Sequence, residues 1–303
     1  MQLYYTDHYA IDLPPGHKFP MRKYRMLRDL LAADAIFDLQ PAPLASIATI
    51  ERVHDPEYVR QFVDGTLSPQ AVRRIGFPWS QGMVLRTLAS AGSTLSAATT
   101  ALEHGAGGTL AGGTHHAFRA EGSGFCVFND LAIAIIHLRE TVGIKRAAVI
   151  DLDVHQGDGT AQIFEQDPAV LTFSMHGKNN FPFRKQRSRI DIELEDKAGD
   201  DEYLRNLEAV LPQVFEFNPG VVFYQSGVDA LATDVLGRLS LTPEGMRCRD
   251  EIVIRAACKY GAPFIVTLGG GYSNPIERTV EAHAATFRTL HSVYGPSSQR
   301  SGT

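Results

Sequence analysis

Four short apolar runs, each ending in a polar cluster, constrain this chain more than any other feature. They are Ala147 to Leu152, Val170 to Ser174, Val221 to Gln225 and Phe264 to Leu268. Each is rich in Val, Ile or Phe and is bounded by Gly, Pro or polar residues, which marks a buried strand. Around them the apolar spacing predicts helices over about 80–104, 129–142, 201–217 and 243–259. Asp200 and Asp201 suit a helix start before EYLRNLEAVL, and Thr242 with Pro243 suits the next one. Strand and helix alternate, so the expectation is a single three-layer α/β/α domain with a mostly parallel central sheet. That domain is expected over 1–294, followed from Gly295 by GPSSQRSGT as a flexible polar tail.

Polar residues gather where the runs stop, in DLDVHQGDG, SMHG, QSGVDA and GGGYS. Ligands of open α/β sheets bind at the carboxyl ends of the strands, so these four distant stretches are expected to converge on one pocket.

Composition removes several alternatives. A net charge of −5 and a pI near 6.1 give no basic field for direct nucleic-acid binding. Cys126, Cys248 and Cys258 lack CxxC spacing, which points to a reducing compartment rather than a disulfide framework or a thiolate zinc cluster. The opening MQLYYTDHYAIDLPPGHKFP has no basic segment followed by an apolar run, and no stretch nears the roughly 18 apolar residues of a membrane span. A cytoplasmic protein that neither crosses a membrane nor grips nucleic acid is expected.

The densest chemistry lies in Asp151-Leu-Asp153-Val-His155-Gln-Gly-Asp158-Gly. Alternating acidic and imidazole groups share one side if the strand continues. Burying them without a cation is costly, because like carboxylates repel and lose hydration. A solvated Asp-rich turn, with Asp158 capping a following helix, is the competing reading. Asp229 in QSGVDALATD also follows an apolar strand, and completes a set of two carboxylates and one imidazole with a coordination position left for water. Taken alone it reads as a loop or cap residue before it reads as a ligand. The oxygen-rich set is less zinc-selective than a histidine- or thiolate-dominated site, which leaves iron(II) or another divalent ion as alternatives to zinc.

His115 and His116 in GGTHHAF can converge only in a loop, which the preceding glycines supply. Amide hydrolysis needs a base for water and an acid for the leaving amine, and two histidines with different carboxylate partners can divide that work. Tyr272, after three glycines, can place a phenol against a carbonyl oxygen that gains charge. In GSGFCVFND, Phe128 reads as strand-end packing, whereas Phe125 beside Gly124 can line a narrow apolar tunnel.

The chain resembles the histone deacetylase family, hydrolases of acyl-lysine amides with an arginase-like fold. PPGHKFP, HDPEYV, GGTHHAF, GFCVFND, DLDVHQGDGT, SMHG, SGVDALATDVLGRLSLT and LGGGY carry the resemblance in order over nearly the whole length. KFPMRKYRML, the single Gln of HQGDG, and DDEYL followed by DVLGRLSLTPEGM look most like the class IV type and its bacterial relatives.

The resemblance implies that Asp153, His155 and Asp229 bind zinc. It makes His115 and His116 the acid/base pair, with Asp151 and Asp158 as their partners, and Tyr272 the residue that polarises the carbonyl. Gly124, Phe125, Gly270 and Leu236 become substrate-binding candidates, Gly124 through its backbone carbonyl. A structural potassium ion is implied at Asp151, Asp153, His155, Ser174 and Met175, with a second at Phe164 and Val170, where Asp167 departs from the small hydroxyl residue expected. PGHKF in place of PGHPE, and IGFPWS without an acidic clamp, leave substrate choice open.

The expected partner is an acyl-lysine protein or peptide, or a small acylated amine such as an acetylpolyamine. A longer acyl chain would need a deep apolar cavity beyond the metal. An arginase-type ureohydrolase would need more bridging carboxylates in Asp-x-His-x-Asp order, and a non-catalytic acyl-lysine binding protein is the reading from another class.

Overall fold

Every neighbouring pair of strands in the eight-stranded central sheet is parallel, in the order β2-β1-β3-β8-β7-β4-β5-β6. The computed structural model describes residues 1–295; the rest of the expected tail lies outside the described residues. The strands are β1 (Gln2–Tyr5), β2 (Asp38–Pro41), β3 (Ala106–Thr109), β4 (Ala147–Asp151), β5 (Val170–Gly177), β6 (Ile190–Leu194), β7 (Val221–Gln225) and β8 (Phe264–Thr267). The helices are α1 (Arg22–Ala32), α2 (Ile47–Ile50), α3 (Pro56–Asp64), α4 (Pro69–Ile75), α5 (Gln81–His104) and α6 (Asp130–Thr141) in the first half. They continue as α7 (Asp158–Phe164), α8 (Asp200–Glu216), α9 (Pro243–Tyr260) and α10 (Glu277–Tyr294).

The four strands expected from apolar runs are β4, β5, β7 and β8, buried along their whole length. Parallel strands covered by helices on both faces have no polar side to show, which is why they read as unbroken apolar runs. The four expected helices appear as α5, α6, α8 and α9. Side chains cap several helices: Ser80 accepts the Met83 N–H before α5, Asn129 that of Ala132 before α6, and Thr242 that of Gly245 before α9. The start of α8 differs from expectation in detail. Gly199 is its cap, and the Asp200 carboxylate instead accepts from the backbone and hydroxyl of Thr242, tying α8 to α9.

The sheet sets the site. Pairing of β4 with β7 and of β7 with β8 brings Asp151, Gln225 and Thr267 level at one edge. The segments after β4, β7 and β8 therefore leave the sheet side by side. Among the described residues no helix is long and apolar enough to cross a membrane. Cys126, Cys248 and Cys258 are free thiols.

Candidate active site and metal centre

Asp153, His155 and Asp229, all buried, bring one potential ligand atom each to within 4.8 Å of one another. His155 Nδ1 lies 3.0 Å from Asp153 Oδ1 and 3.1 Å from Asp229 Oδ2. Backbone N–H groups hold the carboxylates: Gly270 donates to Asp153 Oδ2 at 2.6 Å, and Val154 to Asp229 Oδ1 at 2.9 Å. A Cβ at Gly270 would stand 1.9 Å from Asp229 Oδ2, and one at Gly227 would stand 2.1 Å from Asp153 Oδ2. Only glycine lets the backbone come this close.

The cluster attracts positive charge. Burial opposes a charged His155 ring, yet Asp153 and Asp229 override it and raise its pKa to about 10. Burial, together with the Asp153 charge, lifts Asp229 to about 7. Two carboxylates and an imidazole packed this tightly suit a divalent cation in donor type and in charge.

The tandem histidines sit in the loop after β3, with His115 Nδ1 2.7 Å from Asp151 Oδ2 and His116 Nδ1 2.7 Å from Asp158 Oδ1. Their ring centroids are 4.1 Å apart. Asp158 is not a helix-capping residue but the first residue of α7, which begins after Gly157. Burial disfavours charge on both rings, but at His115 the charges of Asp151, Asp153 and Asp158 prevail and the pKa rises to about 9. At His116 burial and the neighbouring His115 prevail over Asp158, and the pKa falls to about 4. The two environments thus pull the rings in opposite directions, one toward holding a proton and one toward releasing it, as combined acid and base work requires.

Both histidines, Asp153, His155, Gly124, Phe125, Leu236, Gly270 and Tyr272 line one cavity of about 860 Å³. Phe125 adopts a positive φ of 66° after Gly124 at 52°, a turn that swings its ring toward Phe19, Phe77 and Tyr272, at centroid distances of 5.2, 5.3 and 6.3 Å. Phe128 packs instead against Tyr58 and Phe62 in the core. Burial, with the Asp229 and Asp153 charges, pushes the Tyr272 phenol well up, so it keeps its proton. Ser174 and Met175 lie in β5, with Ser174 paired in register to Asp151. Phe164 and Val170 border a separate cavity of about 560 Å³, where Asp167 is engaged by Arg139.

Some structural contributors carry no motif. The fully buried Arg249 of α9 donates to the carbonyls of Leu152 and Gly227, at 3.3 and 2.6 Å, bracing the segments after β4 and β7. Asp234 accepts the backbone N–H groups of Tyr272, Leu236 and Gly237 at 2.6, 2.8 and 2.8 Å, joining the Tyr272 loop to the Leu236 turn. Phe19 and Phe77 complete the aromatic wall. The sequence signal for Arg249 is a charge at a helix position whose neighbours on the same face, Met246 and Val253, are core residues.

Residues 17–287 match the histone deacetylase domain model. An uncharacterised protein of Picosynechococcus sp. is 45% identical over 300 residues, covering 96% of this chain and 98% of that protein. The histone deacetylase-like amidohydrolase of Pseudomonas aeruginosa is 30% identical over 270 residues, 83% of this chain and 70% of that protein. The human polyamine deacetylase HDAC10 is 34% identical over 193 residues, but these span 58% of this chain and 28% of that protein. The family match takes in both histidine–carboxylate pairs, the buried triad and Tyr272 together, and the chain belongs to the histone deacetylase family.

Proposed function

We propose that this hydrolase releases acyl groups from lysine-type amines, using zinc held by Asp153, His155 and Asp229. The observation that carries the reading is the placement of two His–Asp pairs and the Tyr272 phenol along the cavity that reaches the triad. Zinc, or iron(II) in its place, would supply Lewis acidity toward the acyl carbonyl and toward water. His115 and His116 exchange the protons: one ring accepts from the attacking water, and the pair returns a proton to the departing amine nitrogen. Asp151 and Asp158 fix the ring orientations from the Nδ1 side, leaving each Nε2 for the reaction. Tyr272 donates its O–H to the carbonyl oxygen as charge gathers there. Gly124 offers its backbone carbonyl to the substrate amide N–H, while Phe125, Gly270 and Leu236 shape the passage. Potassium at Asp151, Asp153, His155, Ser174 and Met175, and a second ion at Phe164 and Val170, would serve as structural cations. The closest character is class IV.

The similarity to a polyamine deacetylase raises acetylpolyamine as a second substrate. The rim opposes it. Lys18, Arg73, Arg74 and Arg238 line the cavity, with Asp153 the one carboxylate among the described lining residues; Arg74 and Arg238 are paired with Glu121 and Asp196, so the repulsion that a polycation meets comes from Lys18 and Arg73. Zinc-loaded protein is expected to release acyl groups from acyl-lysine peptides faster than from acetylspermidine. Chelation and Asp153→Ala should each abolish release. Tyr272→Phe should keep the metal and lose roughly 100-fold or more in kcat, the usual cost of one oxyanion donor. Metallated protein that cleaves neither substrate class would leave the binding-protein reading standing.

A further inference from the structure

The buried end of the cavity is formed by one face of α5. Met83, Arg86, Thr87 and Ser90 line it at helical i, i+3, i+4 and i+7 spacing, together with Tyr24, Gly113 and Thr114. Arg86 is 7% exposed, and no carboxylate pairs with it among the described residues. Its guanidinium lies 4.4 Å from the Tyr24 ring centroid and 5.8 Å from that of Phe19, and its Nη1 has no hydrogen-bond partner. The Thr87 hydroxyl one residue on is equally without a partner. Lys23, 1% exposed, has its Nζ 5.4 Å from the same Tyr24 ring but lies outside the cavity lining and donates to the Gly269 and Gly271 carbonyls at 3.2 and 3.4 Å, which leaves Arg86 as the cation of this end.

Buried donors without acceptors are costly, and a guanidinium fork is matched best by a carboxylate. Among the described residues none provides one. Asp153 is committed to the Gly270 N–H and to His155. This end of the cavity is therefore polar and cationic, which answers the question of acyl length differently from a deep apolar pocket: a long alkyl terminus would strand Arg86, Thr87 and Ser90 in contact with hydrocarbon.

We infer that this chamber receives the terminal carboxylate of a dicarboxylic acyl group, of the succinyl or glutaryl kind, with Arg86 as the residue that sets the preference. The inference rests on the amidohydrolase reading above. In the reaction the water oxygen bonds to the acyl carbon as the C–N bond breaks, and a proton passes to the amine nitrogen. The products are a free lysine-type amine and a dicarboxylate. The monocarboxylate left by any acyl group is the other source of the same anion.

The test compares zinc-loaded protein on otherwise identical peptides bearing acetyl-, butyryl-, succinyl- and glutaryl-lysine, followed by mass spectrometry. Succinyl- or glutaryl-lysine should exceed butyryl-lysine in kcat/KM by about tenfold or more, as one charge-assisted pair allows. In Arg86→Gln that ratio should fall to near one or invert; a ratio taken within one variant is independent of how much active protein it retains. Wild-type protein that prefers butyryl-lysine overturns the inference without any variant. So does a succinyl preference that survives Arg86→Gln. Should Arg86→Gln instead change only inhibition by free acetate, the arginine serves the released product and the inference fails. Failure to cleave any of the four peptides, and acetylspermidine as well, refutes the amidohydrolase reading itself.

Discussion

At the scale of single residues, His54 shows how a buried polar group can be both satisfied and sensitive to pH. Its Nε2 accepts the Asn129 N–H at 2.8 Å, and its Nδ1 lies 3.2 Å from the Arg119 carbonyl oxygen. Only the neutral ring protonated at Nδ1 serves both contacts. Burial lowers its pKa from 6.5 to about 4. Between those values the unfolded chain binds a proton that the folded chain does not. Stability is therefore fully present above the unfolded pKa and is lost as pH falls through the folded one. The contribution is about 3 kcal/mol at most, from 1.36 kcal/mol per unit. His54→Gln can keep both hydrogen bonds without titrating. Urea unfolding of the variant should show a smaller loss of stability between about pH 7 and pH 4.5 than the wild type. Parallel losses in the two proteins would rule out His54 as the source. His176, lowered to about 3 mainly by burial, acts in the same direction but cancels in the comparison.

Elements decide which of these residues meet, and Arg249 shows the cost of holding strand ends together. It donates to Asp250 Oδ1 from Nε and Nη2, at 2.9 and 2.7 Å, while Asp250 also accepts from Tyr224 at 2.5 Å and Thr286 at 2.6 Å. Arg249→Met leaves the Asp250 charge buried without its cation and should cost roughly 3–5 kcal/mol. Arg249→Met with Asp250→Asn should recover part of that loss, measured by denaturant unfolding. Additive losses in the double variant would show that the two side chains act independently.

Of this network the sequence shows only that Arg249 shares a face with Met246 and Val253; its partners, the carbonyls after β4 and β7, come from distant strands and are not legible there. The strands divide in the same way. β4, β5, β7 and β8 declare themselves by Val and Ile, whereas β3 is Ala-Gly-Gly-Thr. A Cβ at Gly107 would lie 2.1 Å from the Ala97 carbonyl oxygen, so the close packing of α5 removes the side chains that mark a strand. β6 alternates partly exposed Ile with exposed Asp and Glu at the sheet margin, and gives no apolar run. The catalytic candidates were legible because their chemistry demands rare residue types at strand ends. Arg86 was not, because its meaning depends on Tyr24 and on a cavity that only packing creates.

For the whole molecule, the site and the stability of the fold are coupled through charge. Asp153 and Asp229 are buried side by side, their main cationic relief inside the triad coming from His155. A structure that holds two carboxylates this close disfavours the second negative charge, as the rise of Asp229 to about 7 shows, and is stabilised by any cation that binds the folded state alone. Zinc at 100 times its dissociation constant should add about 2.7 kcal/mol. Zinc-loaded protein should therefore melt several degrees above chelated protein, the increment growing with free zinc. Asp229→Asn removes one of the opposed charges and one ligand together. In chelator it should melt at or above chelated wild type, and it should gain little when zinc is restored. The Val154 N–H can still be accepted by the amide oxygen, so loss of that contact does not obscure the comparison. Equal stabilisation of both proteins by zinc would mean that the ion binds elsewhere. A chelated variant that melts well below chelated wild type would mean that the Asp229 charge is satisfied by the fold itself. The expected pattern, less zinc bound with no loss of stability, follows from a candidate metal site whose charges are arranged for a ligand rather than for one another.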